Sequence, residues 1–115
     1  MCGVLAKGMI VKMKLIDCKN SGLYRGNIIR FNSAKYPFEP QIDFMLCCYP
    51  SVNDKCCPMA IYCITGYHKG QLEYVFPREA MLNGNPNCIS REWIINNWAK
   101  NIMDCTDILE AELID

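Results

Sequence analysis

A chain of 115 residues that is 51% hydrophobic and 10% aromatic has the length of one domain and enough apolar material for a core. It is not a disordered tail, since such segments are apolar-poor and highly charged. Twelve Lys+Arg against twelve Asp+Glu leave no net charge, which argues against a free-standing nucleic-acid binder, because phosphate neutralisation needs a basic excess.

The apolar stretch at the start stops at Lys7, short of the roughly 7–15 residues of an export signal. No apolar run approaches the roughly 18 residues of a membrane span. A cytoplasmic location with reduced thiols is therefore expected. Met13-Lys14-Leu15-Ile16-Asp17 reads like a natural beginning, and Met9 is another. Residues 1–12 are accordingly set apart as a possible extension and 13–115 are read as a single domain, with no repeat or linker.

Val11, Met13 and Leu15 alternate with Lys12 and Lys14, the pattern of a half-buried strand. Asn20-Ser21-Gly22 punctuates the chain, and residues 23–31 read as a second strand with Gly26 as a bulge or close-approach point. Pro37 and Pro40 bracket a loop that Tyr36 and Phe38 pin to the surface. Residues 41–49 form a strongly apolar central strand, 50–55 a turn and 58–65 another strand, together a hairpin. Glycines at both ends of Gly66-Tyr67-His68-Lys69-Gly70 suit a second hairpin, completed by 72–76 and stopped by Pro77. One helical turn over 78–82 and a loop over 83–87 follow.

The best helix signal spans about residues 90–103: Ser90 as N-cap, Glu92 in the first turn, and Ile94, Ile95, Trp98 and Ile102 as one apolar stripe. Asn96, Asn97, Lys100 and Asn101 face water. Leu109, Ala111 and Leu113 alternate with acids and read as a last strand. The fold class is α+β: a mainly antiparallel β-sheet of about five to six strands with one dominant helix packed on one face.

Nine cysteines invite a metal or redox reading: Cys2, Cys18, Cys47, Cys48, Cys56, Cys57, Cys63, Cys88 and Cys105. None shows the C-x-x-C spacing of a zinc site. Cys48 and Cys57 come near each other across the first hairpin, but adjacent strand residues point to opposite faces, so four thiols do not converge. They are read as small buried hydrophobes, with no metal and no cofactor expected. The single histidine, His68, lies in the second hairpin loop, where nothing places a cysteine beside it. The alternative function is a small nuclease-like or thiol- or metal-dependent enzyme using His68, helped by Lys69 or Arg78.

Charge is segregated along the chain. From Asp104 onward there are Asp104, Asp107, Glu110, Glu112 and Asp115 with no base, whereas Lys7, Lys12, Lys14 and Lys19 crowd the beginning. An acidic end is either a solvated face or a dock for a basic protein. Loop tyrosines such as Tyr49 and Tyr67 suit interface anchors, and Trp93 is either core or contact surface while Trp98 is core. Candidate partner contacts are Asp43, Asp54, Tyr67, Asp104, Asp107, Glu110 and Glu112, chosen by charge and expected exposure.

Several segments resemble a small bacterial family: Met13-Lys14-Leu15-Ile16-Asp17, Leu23-Tyr24-Arg25-Gly26-Asn27-Ile28, Ile42-Asp43-Phe44-Met45-Leu46-Cys47, the Thr65–Gly70 stretch, and Ile89-Ser90-Arg91-Glu92-Trp93-Ile94-Ile95-Asn96-Asn97-Trp98. The resemblance covers about residues 13–107 and is to immunity protein 45 of polymorphic-toxin and contact-dependent growth-inhibition systems. Tyr24 stands where members often carry Trp, and cysteine richness is not typical of them. The resemblance implies a cytoplasmic non-enzyme that binds the C-terminal domain of a cognate toxin, commonly a nuclease, and blocks its active site or substrate path. It implies no direct contact with nucleic acid or membrane and supplies no catalytic residue.

Overall fold

Alternating apolar and polar residues give strands whose two faces differ, and the fold stacks one face of a sheet against a helix. The computed structural model describes residues 12–32, 41–49, 56–66, 69–102 and 106–114. Eight strands appear among them: β1 (Lys12–Lys14), β2 (Gly22–Tyr24), β3 (Ile28–Phe31), β4 (Ile42–Cys48), β5 (Cys56–Cys63), β6 (Leu72–Pro77), β7 (Cys88–Ser90) and β8 (Glu112–Ile114). Six form one antiparallel sheet in the order β1-β8-β3-β4-β5-β6, and β2 pairs with β7 in a two-stranded ribbon. The α+β architecture read from the sequence is the observed one.

The core face of the sheet follows the period of two. Ile29 and Phe31 of β3, Ile42, Phe44 and Leu46 of β4, Met59 and Ile61 of β5 and Phe76 of β6 are all buried. Helix α1 (Arg91–Asn97) continues as a π turn over Trp98–Ile102 and covers this face. Trp98 lies against Phe31 and Phe44 with ring centroids 5.2 and 5.8 Å away, and its indole N–H donates to Thr106 Oγ1 at 2.7 Å. Trp93 stacks on Tyr74 at 6.3 Å and meets the edge of Phe76 at 6.0 Å. Ser90 caps the helix as expected, its Oγ accepting from the Trp93 N–H at 3.1 Å.

Four elements differ from the sequence reading. The single strand expected over 23–31 is two strands in two different sheets. A tight turn divides them, with Gly26 at φ 94°, the Tyr24 N–H donating to Asn27 Oδ1 at 2.8 Å and the Asn27 N–H returning to Tyr24 O at 3.0 Å. The first strand ends at Lys14 instead of running on through Leu15: the chain bends at a 3₁₀ turn (Leu15–Asp17), burying Leu15 and leaving Met13 exposed. The last strand begins only at Glu112, after a second 3₁₀ turn (Ile108–Glu110), and enters the sheet between β1 and β3. Strand β7 had no counterpart in the sequence reading. At Gly22, opposite it, any Cβ would overlap the Cys88 sulfur.

Arg91 ties these pieces together. Its N–H donates to Ser21 O at 2.9 Å, its Nε to Asn20 O at 3.0 Å and its Nη1 to the carbonyls of Leu15 and Ile16 at 3.3 and 3.4 Å. Among the described residues no helix is long and apolar enough to cross a membrane.

Candidate functional site

The acidic end of the chain is held by two buried anchors. Ile108, the first residue of the 3₁₀ turn, and Ala111, which follows it, are buried, and Asp107 Oδ1 accepts from the Leu109 N–H at 3.0 Å. The residues between the anchors are thereby turned outward, so that Leu109 is 51% exposed, with Asp107 and Glu110 also exposed. The Leu15–Asp17 turn packs alongside, the Leu15 N–H donating to Ala111 O at 2.8 Å. It adds exposed Ile16 and Asp17, and β1 adds exposed Met13. Exposed Leu109 and Ile16 therefore sit on two packed turns together with the carboxylates of Asp107, Glu110 and Asp17. Lys14 lies beside these acids, its Nζ 3.2 Å from Glu110 Oε2; both groups are solvated, so that pair is weak.

The structure sorts the other candidate contacts differently. Glu112 is half-buried and accepts from Asn32 Nδ2, standing between Lys14 and Arg30 in register. Asp43 was chosen for expected exposure, and that expectation is corrected: it is 4% exposed. Arg30 Nε and Nη2 reach its two carboxylate oxygens at 2.8 and 2.9 Å, because Arg30 and Asp43 are cross-strand partners of β3 and β4. The Asp43 bond holds the Arg30 guanidinium above even its usual high pKa. Asp54, Tyr67 and Asp104 lie outside the described residues, as do His68, the 33–40 and 50–55 segments, Cys2 and Cys105.

Among the described residues the cysteines do not assemble. Cys18, Cys63 and Cys88 are buried, Cys47 is half-buried and Cys48 exposed. Cys48 faces Met59 across the β4–β5 ladder, so Cys57 is offset along the strand from the pairing expected of it. Burial first, and Cys48 second, push the Cys47 thiol up, away from nucleophilic character. Among the described residues no three His, Cys, Asp or Glu side chains gather as a metal site.

Two further surfaces were not read from the sequence. On the face of the sheet away from α1, Ile28, Met45, Cys47, Tyr62 and Val75 are half-buried, and none belongs to the core cluster or packs against it. A shallow cleft of about 290 Å³ opens where α1 meets the connection that follows β6. Pro77 ends that strand, two 3₁₀ turns (Arg78–Ala80 and Leu82–Gly84) follow, and Asn83 takes a left-handed φ of 52°. Glu79, Asn83, Glu92, Trp93 and Asn96 are among its lining. Burial, then the charge of Glu79, hold the nearby Tyr74 hydroxyl above the ordinary phenol range.

The family model for immunity protein 45 matches residues 4–113, nearly the whole chain. This chain belongs to the immunity protein 45 family. No curated protein and no solved structure matches it. An immunity protein has a toxin as its protein partner, so its exposed surfaces bear directly on its function. In this family member the exposed acids Asp107 and Glu110 were legible from charge and the missing bases after residue 104. Ile16 and Leu109 were not legible as surface, since alternation suggested buried strand positions for Leu109. Glu92 was read only as a helix-start acid, and its place in the cleft depends on a chain segment remote in sequence.

Proposed function

We propose that this immunity protein neutralises its cognate toxin domain, a nuclease, by docking its acidic end over the toxin's basic substrate path. The observation that carries the reading is Leu109, held out at 51% exposure between Asp107 and Glu110 by the buried anchors Ile108 and Ala111. An exposed apolar group flanked by charge is the composition of an interface centre and rim. A nuclease must attract phosphate, and carboxylates in that position answer the same positive field. Glu112, half-buried on β8, is proposed as a further contact beside that turn. Asp54, Tyr67 and Asp104 are proposed as further contacts on charge and residue type alone, whereas Asp43 serves as the internal partner of Arg30. The protein acts in the cytoplasm, as the inhibitor in a contact-dependent growth-inhibition pair, and does no chemistry of its own.

The test is a titration against the C-terminal domain of the large secreted protein encoded beside it. Nanomolar one-to-one binding that silences nuclease activity is expected, with the isolated immunity protein leaving RNA and DNA intact. A folded Asp107→Lys/Glu110→Lys variant that protects as well as the wild type would refute the docking surface. Nucleic-acid cleavage by the isolated protein, lost in His68→Ala, would replace the whole reading with the enzyme alternative.

A further inference from the structure

We propose that the cleft between α1 and the turns after β6 receives a guanidinium, an arginine side chain presented by the toxin. The inference rests on the immunity reading for the owner of that arginine, but not for the chemistry of the cleft.

Size comes first. About 290 Å³ is at the bottom of the roughly 300–1,000 Å³ range of small-molecule sites, so the cleft suits one side chain better than a metabolite. Charge comes second. Glu79 and Glu92 are both exposed at the cleft, no lysine or arginine lines it, and neither glutamate forms an ion pair among the described residues. The third feature is the wall. Trp93 is half-buried and fixed by stacking on Tyr74 and by the edge of Phe76, so its indole is a rigid side of the cleft rather than a mobile cover. Asn97 is already engaged, its Nδ2 donating to Trp93 O at 2.8 Å and its Oδ1 accepting from Asn101 at 3.2 Å. Asn83 and Asn96 also line the cleft and carry carboxamide groups able to accept.

These features choose among cations. A hard metal ion wants six or more oxygen ligands in close array, and no cluster of three acidic or metal-binding side chains exists among the described residues. Ammonium is a compact, strongly hydrated point charge. Guanidinium is planar and weakly hydrated, so it can lie on the indole while its several N–H groups serve separated carboxylates and amides. A rigid aromatic wall with spread acceptors and no competing base is therefore an arginine site.

The experiment is an amide and indole N–H titration by NMR, using N-acetyl-arginine amide as the probe and N-acetyl-citrulline amide as its neutral isostere. Saturable shifts of the Trp93 indole and the Asn83 and Asn96 carboxamides are expected with arginine. Citrulline should bind at least about tenfold more weakly, because the charge-assisted bonds are gone. Glu79→Gln/Glu92→Gln should lose the response while the Trp98 indole signal, bonded to Thr106, keeps its position and reports an intact core. Non-saturating shifts, equal response to citrulline, or an unchanged response in the double variant each overturn the inference. Against the toxin domain, the same variant should bind about tenfold or more weakly. A toxin that binds both forms equally overturns this inference and leaves the immunity reading standing. A toxin domain that fails to bind the wild type, while arginine amide still does, overturns the toxin's ownership of the arginine instead.

Discussion

Asp43 and Asp107 are the same residue type with opposite fates, and the difference lies in what stands across from each. Asp43 faces Arg30 on the neighbouring strand and is sealed in a two-point ion pair, whereas Asp107 caps a surface turn. Asp43→Asn leaves a half-buried guanidinium without its counter-charge, and should cost about 2–3 kcal/mol in urea unfolding, below the full buried-pair loss because Arg30 is partly solvated. Asp107→Asn keeps the capping oxygen and should change stability by less than about 0.5 kcal/mol. Tyr74 gives a prediction in pH. Its folded phenol is raised above the ordinary value of about 10, so both states are protonated below that pH and the phenol's contribution is fully present. Above it the unfolded chain ionises first, and stability is lost as pH rises through the folded value. Tyr74→Phe should therefore flatten the decline measured by urea melts between about pH 9 and 11. An unchanged slope would contradict the burial of that hydroxyl.

Elements built from local signals were legible, and those built from remote pairing were not. The β4–β5–β6 meander follows from apolar runs joined by turn residues, and Ser90, Ile94 and Trp98 mark the helix and its buried side. Ser90→Ala removes an acceptor from the Trp93 N–H and should cost about 1 kcal/mol, read as a lowered unfolding midpoint. Trp98→Ala opens the space among Phe31, Phe44 and Thr106 and should cost about 3–5 kcal/mol, since the ring is wholly buried. The division of 23–31 was hidden because Gly26 reads equally well as a bulge inside one strand, and only the partners of β2 and β3, at 88–90 and 42–48, show that they separate. The insertion of β8 between β1 and β3 is likewise set by contacts some eighty residues away in sequence. The acids near the end were visible as charge. The exposed Leu109 between them was not, because it continues a strand-like alternation that the 3₁₀ turn breaks.

For the molecule as a whole, zero net charge hides a separation of tasks. Helix and sheet enclose one core, Arg91 ties the Leu15–Asp17 turn to the start of α1, and the acidic turn is carried between a buried strand and a sheet edge. Charge presented on a turn anchored by Ile108 and Ala111 favours fast association steered by charge. The most direct measurement is the association rate with the neighbouring toxin domain as a function of salt, for the wild type and for Asp107→Lys/Glu110→Lys. The wild-type rate should fall steeply as salt rises, and the variant should associate at least about tenfold more slowly at low salt with the salt dependence largely removed. Equal rates and equal salt dependence for the two proteins would contradict an acidic docking end.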